Sequence, residues 1–219
     1  MDTESGGSPS ELLRSLTWWV WLSRWVLQDG NYTDFVAGER RQFALELGYD
    51  RSARLQRSPG SPTAACRHSG RDATYDVVGR LLRSVPEPGN DAFVLDFGLR
   101  AYAPWMVLDD LRPPGAGEWL AGQISLSVDH FAYMDELAGL PGMPPLIYTW
   151  TVEEIRLRTA PPAPDGSALD PHWHRVPRTR AWDEDGEYLL KCSLEAQPPT
   201  SSMRATGPGS PYGPLPVGP

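Results

Sequence analysis

Four stretches of this chain alternate apolar and polar residues with period two, a pattern that sorts side chains onto the two faces of a strand but not of a helix. Arg41, Phe43, Leu45 and Leu47 fall on one face, and Gln42, Ala44 and Glu46 on the other. Phe93, Leu95, Phe97 and Leu99 alternate with Val94, Asp96, Gly98 and Arg100. Leu120, Ile124, Leu126 and Val128 oppose Ala121, Gln123, Ser125 and Ser127, with Gly122 on the apolar side. Tyr188, Leu190, Cys192 and Leu194 oppose Leu189, Lys191, Ser193 and Glu195. Half-buried strands of this kind belong to antiparallel sheets. The expected fold is therefore mainly β, an antiparallel β-barrel or packed sheets with one or two short helices.

Tyr75–Leu82 and Ile147–Leu157 are further strands. In the second, Tyr148, Trp150 and Val152 share a face before Ile155 and Leu157 take over in the opposite register, as a β-bulge near Glu153-Glu154 would produce. Two helices are expected. Leu12–Trp21 is one, with Ser10 as N-cap, although Trp18 to Trp21 are also good strand residues. Asp129–Leu140 is the other, with Asp129 as cap, Phe131, Met134, Leu137 and Ala138 facing inward, and Gly142 to Pro145 as terminator. Arg51–Asp72 breaks the alternation and is expected to be a long loop.

A weak repeat runs through the chain. Trp25–Gly30 resembles Phe93–Gly98, Gly38-Glu39 before a strand recurs as Gly117-Glu118, and Tyr75–Arg83 has a counterpart in Tyr148–Arg158. Two three-strand units, each too small alone, would then close one barrel or pack as two sheets. Residues 1–10 and 196–219 are expected to be tails, the second rich in Pro and Gly and able to form only coil or polyproline II. The domain between them spans 11–195, with 11–85 and 86–195 as possible halves.

Charge sets limits on partners. The net charge is −8, yet 11 basic against 8 acidic residues lie between Glu11 and Val85, and 4 against 11 between Pro86 and Thr159. An acidic chain is a poor general binder of phosphate backbones, whose affinity comes from counterion release by Lys and Arg. A basic groove of Arg40, Arg41, Arg51, Arg54 and Arg57 is the exception to weigh. Lysine occurs once, at Lys191, against 19 arginines, a bias that fits a GC-rich bacterial genome. The acidic start Met1-Asp2-Thr3-Glu4 does not resemble a secretory signal, and Arg14 and Arg24 interrupt the apolar Leu12–Leu27 stretch. A cytoplasmic protein without membrane contact is expected, with Cys66 and Cys192 unpaired and Cys192 in the core.

No catalytic constellation stands out, and no motif calls for a cofactor. Asp96-Phe97-Gly98 matches the kinase magnesium triplet by accident, because the strand lysine and catalytic loop are missing. Asp170, His172 and His174 alternate and would place a carboxylate and two imidazoles on one side, the weakest acceptable start to a metal site. The acidic pairs Asp109-Asp110 and Glu153-Glu154 are expected in solvated turns.

Aromatic rings are the better lead. Tyr102, Trp105, Trp119, Tyr133, Tyr148 and Trp150 gather in the acidic half, and Trp119 sits on the polar face of its strand. With Asp109, Asp110 and Glu118 around it, Trp119 would make an anchor for a protein partner, since Trp dominates interface energetics. The rival expectation is that these rings plug a barrel end. The function expected is thus that of a non-enzymatic, protein-binding or inhibitor/immunity-type protein, through Tyr102, Trp105, Asp109, Asp110, Glu118 and Trp119. The alternatives are an OB-like barrel binding single-stranded nucleic acid, and a metal-dependent enzyme.

Overall fold

The computed structural model describes residues 17–30, 32–48, 55–60, 62–70, 72–85, 92–104, 115–158, 173–182 and 187–203. These form twelve strands: β1 (Thr17–Ser23), β2 (Arg40–Phe43), β3 (Leu45–Gly48), β4 (Gln56–Arg57), β5 (Ala65–His68), β6 (Thr74–Val85), β7 (Ala92–Asp96), β8 (Arg100–Pro104), β9 (Trp119–Val128), β10 (Tyr148–Arg158), β11 (Trp173–Val176) and β12 (Glu187–Leu194). One short helix, α1 (Arg24–Gln28), follows β1, and a single π-helical turn spans Tyr133–Leu137.

The alternating stretches are strands, except that the one expected from Phe93 to Arg100 turns at Phe97–Leu99 into the β7–β8 hairpin, and they close. β9, β3, β8, β7 and β6 pair in a ring, a closed five-strand barrel. β2 and β3 are one strand broken at Ala44, so β9, β1, β12, β10 and β2/β3 form a second ring on the same shared pair. Pairing is antiparallel except at two junctions, Glu46 with Tyr102 and Trp21 with Ser127, where the strands run parallel. The inward residues of both rings merge into one core that includes Trp18, Phe43, Leu126, Trp150 and Cys192. Phe43 and Trp150 stack at 5.3 Å between ring centroids.

The repeat is real in three dimensions, with different boundaries from those expected. Gly38, at φ +91°, donates its N–H to Val152 O (2.7 Å), and Val152 N–H donates back to Glu39 O (2.9 Å). Gly117, at φ +93°, does the same with Leu81 O (2.7 Å), and Leu81 N–H returns to Glu118 O (2.8 Å). Both positions require a conformation that glycine adopts at little cost. Just past each tie the strand bulges, between Val152 and Glu154 against β12 and between Leu81 and Arg83 against β7. The Tyr75 hydroxyl bonds the Trp19 backbone of β1, and the Tyr148 hydroxyl accepts from Arg100 N–H of β8. Each unit therefore holds four strands, β1, β2/β3, β6, β7 and β8, β9, β10, β12. They are swapped, since β6 of the first pairs with β9 of the second and β10 with β2. The expected match of Trp25–Gly30 with Phe93–Gly98 is not part of this symmetry. The first stretch is mostly α1, and the second begins in β7, whose counterpart is β12.

Four other expectations are corrected. The helix over Leu12–Trp21 is a strand from Thr17, since seven residues of β1 pair with β12 and tertiary pairing overrides weak helical periodicity; residues 12–16 lie outside the described residues. The Arg51–Asp72 loop contains β5, an edge strand pairing Ala65–His68 with β6, which needs no apolar alternation because its burial is slight. The Pro-rich segment after Ala196 is not free at its start, for Thr200 and Ile147 exchange backbone hydrogen bonds of 2.8 and 2.9 Å. The 1–10 tail and residues 204–219 lie outside the described residues. The Asp129–Leu140 helix is present only as the π turn, although Asp129 Oδ1 accepts from Tyr133 N–H as a cap would.

Gly79 shows how tightly the first ring is wound. A Cβ there would stand 2.8 Å from Leu95 Cγ and 3.1 Å from Asp96 O. Gly79→Ala is expected to lower stability by about 1–3 kcal/mol, as overpacking does. Urea unfolding of the two proteins measures it.

Candidate functional site

Two places concentrate polar side chains that the fold does not need for pairing. The first is an open cleft of about 550 Å³ lined by Arg57, Ser58, Gly60, Arg80, Gly117, Glu118 and Trp119. β4 lies along β9, with Ser58 N–H donating to Trp119 O at 2.8 Å, and β6 lies on the other side with Arg80 opposite Trp119. Arg80 is exposed and has no ion pair among the described residues. Its guanidinium lies over the Gly117 turn, 3.7 Å from where a Cβ would stand. Arg57 Nε bonds Glu118 Oε2 at 3.1 Å, both side chains more than two-fifths exposed. A screened pair of this kind contributes little to stability. The cleft thus joins two guanidiniums, one carboxylate and an indole, a set that recognises a charged, partly planar group.

The second is a buried cluster at the junction of the rings. The Tyr102 hydroxyl donates to Asp129 Oδ1 and lies 3.3 Å from Glu46 Oε2. His130 Nδ1 lies 2.8 Å from that same Glu46 oxygen, and the Trp25 ring lies 4.4 Å from the imidazole. Asp129 is fully buried, and its Oδ2 has no hydrogen-bond partner among the described residues. Burial pushes its carboxyl up to about 6, against the opposing effect of the Tyr102 hydrogen bond. Phe131 follows at φ +77°, a left-handed conformation that costs a bulky residue of the order of 1–3 kcal/mol. The π turn comes next, and such turns concentrate at functional positions.

The residues expected from sequence separate. Glu118 and Trp119 meet in the cleft. Tyr102 does not, because it faces the Asp129 cluster and is 1% exposed; its ring packs against Tyr133 and Val94 and offers no contact surface. Trp105, Asp109 and Asp110 lie outside the described residues. Of the metal candidates, Asp170 and His172 lie outside them too, and His174 stands on β11 opposite Leu157. Among the described residues no group of three His, Cys, Asp or Glu side chains is arranged to hold a metal ion. The basic groove does not assemble as expected. Arg40 is clamped by Glu195, and Arg41 is buried against the Phe35 ring and bonded to Thr33, Asp34 and Glu39. Arg51 and Arg54 lie outside the described residues. Glu153 and Glu154 are ion-paired, to Lys191 and to Arg156 and Arg175.

Sequence reasoning missed Arg80 and Ser58, and took Asp129 only as a helix cap and His130 only as a further ligand for a metal. Arg80 sits on the outward side of a correctly expected strand, and only the pairing of β6 with β9 brings it opposite Trp119. Both cysteines are thiols; burial pushes Cys66 up to about 12 and raises Cys192 as well, so neither is an activated nucleophile. Among the described residues no helix is long and apolar enough to cross a membrane. Comparison with known protein families, with curated proteins and with solved structures finds no match.

The Asp129 carboxyl is held above its ordinary value of 3.8, so its protonated form is the one the fold favours. Its contribution to stability is complete below pH ~4 and is lost as pH rises through ~6. Asp129→Asn keeps an acceptor for Tyr102 and removes the buried charge. This variant is expected to be more stable than the wild type at pH 7–8, by on the order of 2 kcal/mol, and so to melt higher, with the difference vanishing near pH 4. Thermal melts across pH 4–8 measure it.

Proposed function

We propose that this chain is a non-enzymatic binding protein that engages a protein partner through the cleft between β4, β6 and β9, with Trp119 as the anchor. The observation that carries this reading is the convergence of Arg57, Arg80, Glu118 and Trp119 on one open cleft. An indole flanked by guanidiniums is the composition that dominates protein interfaces, where Trp and Arg supply most of the binding energy. The polar Ser58 and the glycine turn at Gly117 leave backbone and small side chains around the anchor, which suits a protruding side chain from a partner. Inhibitor and immunity-type proteins work in this way, by occupying a surface and not by chemistry, and a cytoplasmic setting is part of the same reading.

A second reading has its own observation. On the outer face of β1, β12, β10 and β11, the Arg156 guanidinium lies over the Trp19 ring at 4.3 Å, and Trp21 meets Trp173 at 5.5 Å. Aromatic rings interleaved with cations suit stacked single-stranded bases. Glu154 and Glu187 pair with Arg156, Arg175 and Arg158 on that face, however, and offset their charge. The protein-partner reading is the one favoured.

Affinity capture from extract of the native cell, followed by titration of the captured partner, tests the main reading. Trp119→Ala is expected to weaken that complex by about 30-fold or more, the loss of an interface hot spot, with the thermal midpoint near that of the wild type. A partner bound equally well by both proteins removes the cleft from the interface.

A further inference from the structure

The two halves meet the same turn with different residues, and the difference defines what the cleft lacks. Gly38-Glu39-Arg40 corresponds to Gly117-Glu118-Trp119, and Thr151, which precedes the tied Val152, corresponds to Arg80, which precedes the tied Leu81. Arg40 and Thr151 pair across strands as Trp119 and Arg80 do. In the second ring this outward corner is filled from within. Glu195 forks onto Arg40 through both carboxylate oxygens, and Thr151 Oγ1 donates to it at 3.5 Å. Glu195 reaches the corner because its N–H is bonded to Thr149 O at 3.0 Å.

In the first ring the counterpart of Thr149 is Val78, and the residue paired beside it is Ala65 of β5. Its side chain ends at Cβ. Asp96, opposite Arg80 on β7, gives its carboxylate to Arg100 Nε (3.3 Å) and Gly98 N–H (3.0 Å), and Glu118 in the cleft gives its own to Arg57. The corner that holds one arginine and a carboxylate in one half thus holds, in the other, Arg80 with no ion pair among the described residues, and Arg57 shares the same cleft. Bidentate carboxylate capture is what a guanidinium does best.

We propose that the cleft receives a carboxylate from an acidic segment of the partner protein, placed against Arg80 and Trp119 where Glu195 stands in the other half. This rests on the cleft being the partner site, and it adds the chemistry of the group that enters. Arg57, already shared with Glu118, widens the cationic rim and favours a segment with more than one acid.

Ala65→Glu tests this directly, because it supplies the second half's internal carboxylate to the first half, diagonal to Arg80 on the same face. The full chain, isotopically labelled for the Arg Nε–Hε signals, is titrated with a six-glutamate peptide and with its glutamine counterpart. The wild type is expected to show a saturable shift of the Arg80 signal with the glutamate peptide alone. Ala65→Glu, read on the Arg80 signal, and Arg80→Glu, read on the Arg57 signal of the same cleft, are each expected to weaken binding at least about tenfold, and Ala65→Gln, which tests whether the edge strand tolerates a longer side chain, to bind as the wild type does. Wild-type affinity in Ala65→Glu overturns the proposal. So does a shift of the Arg80 signal by inorganic phosphate or oligothymidylate at lower concentration than by the peptide, which would make the ligand a phosphate. A native partner lost by Trp119→Ala but kept by Ala65→Glu and Arg80→Glu would leave the cleft as the interface and remove the carboxylate.

Discussion

Everything in this molecule hangs on one short antiparallel ladder, Leu45 to Gly48 of β3 against Val128 to Ser125 of β9. It is the wall common to both rings, and the pseudo-two-fold axis passes through it. On its outer side Glu46 faces Tyr102 and Ser127 faces Trp21, the two parallel contacts by which the rings close. On its inner side Leu45, Leu47, Leu126 and Val128 feed a single core. On the outward side, in line with Glu46 and Ser127, a Cβ on Gly48 would come within 2.6 Å of Ser125 Oγ, the end of a side chain that can turn aside.

That wall also explains where polar groups had to be buried. Glu46 alternates outward and should meet water, but the π turn and α1 cover that edge, bringing Asp129, His130 and Tyr102 around it. A buried carboxyl beside a strained Phe131 is costly. The cost is moderated by the Tyr102 hydroxyl and the Tyr133 N–H, both of which donate to Asp129 Oδ1. The cleft is the opposite case, where charges stay in water and the turn at Gly117 keeps them apart from the core.

Much of the fold was legible because alternation reports sidedness, and sidedness is what a barrel needs. Leu120, Arg41 and Tyr188 each open a stretch that is strand with the expected face inward, Phe93 opens one that is strand only to Asp96 before Phe97–Leu99 turn into β8, and the slip after Val152 is a bulge. The mainly β architecture followed from that. What alternation does not carry is partner choice. Nothing in Tyr75–Leu82 says that it pairs with β9 of the other unit, so the swap was invisible, and with it the approach of Arg80 to Trp119. Trp18 to Trp21 suits helix or strand, and only β12 decides it. The placing of Glu118 and Trp119 side by side at the open start of β9 was legible from the Gly-Glu turn and the polar face of that strand. Tyr102 was misjudged because its outward side is covered by residues far along the chain. Arg41 was legible as inward but still counted for a groove, since a charged residue is rarely so deeply buried.

The exchange of strands between the units has a consequence for how the chain reaches this shape. Neither ring can close on its own segment: β6 has β5 and β7 beside it but needs β9 to complete its ring, and β2 must wait for β10, more than a hundred residues later. Contacts so remote along the chain carry a large entropic toll before any core forms, and topologies of this kind assemble slowly. A ribosome-bound first half would therefore expose Phe43, Tyr75 and Leu81 until synthesis of the second is nearly finished. Each half leaves strand edges that only the other fills, so the two units make one cooperative fold.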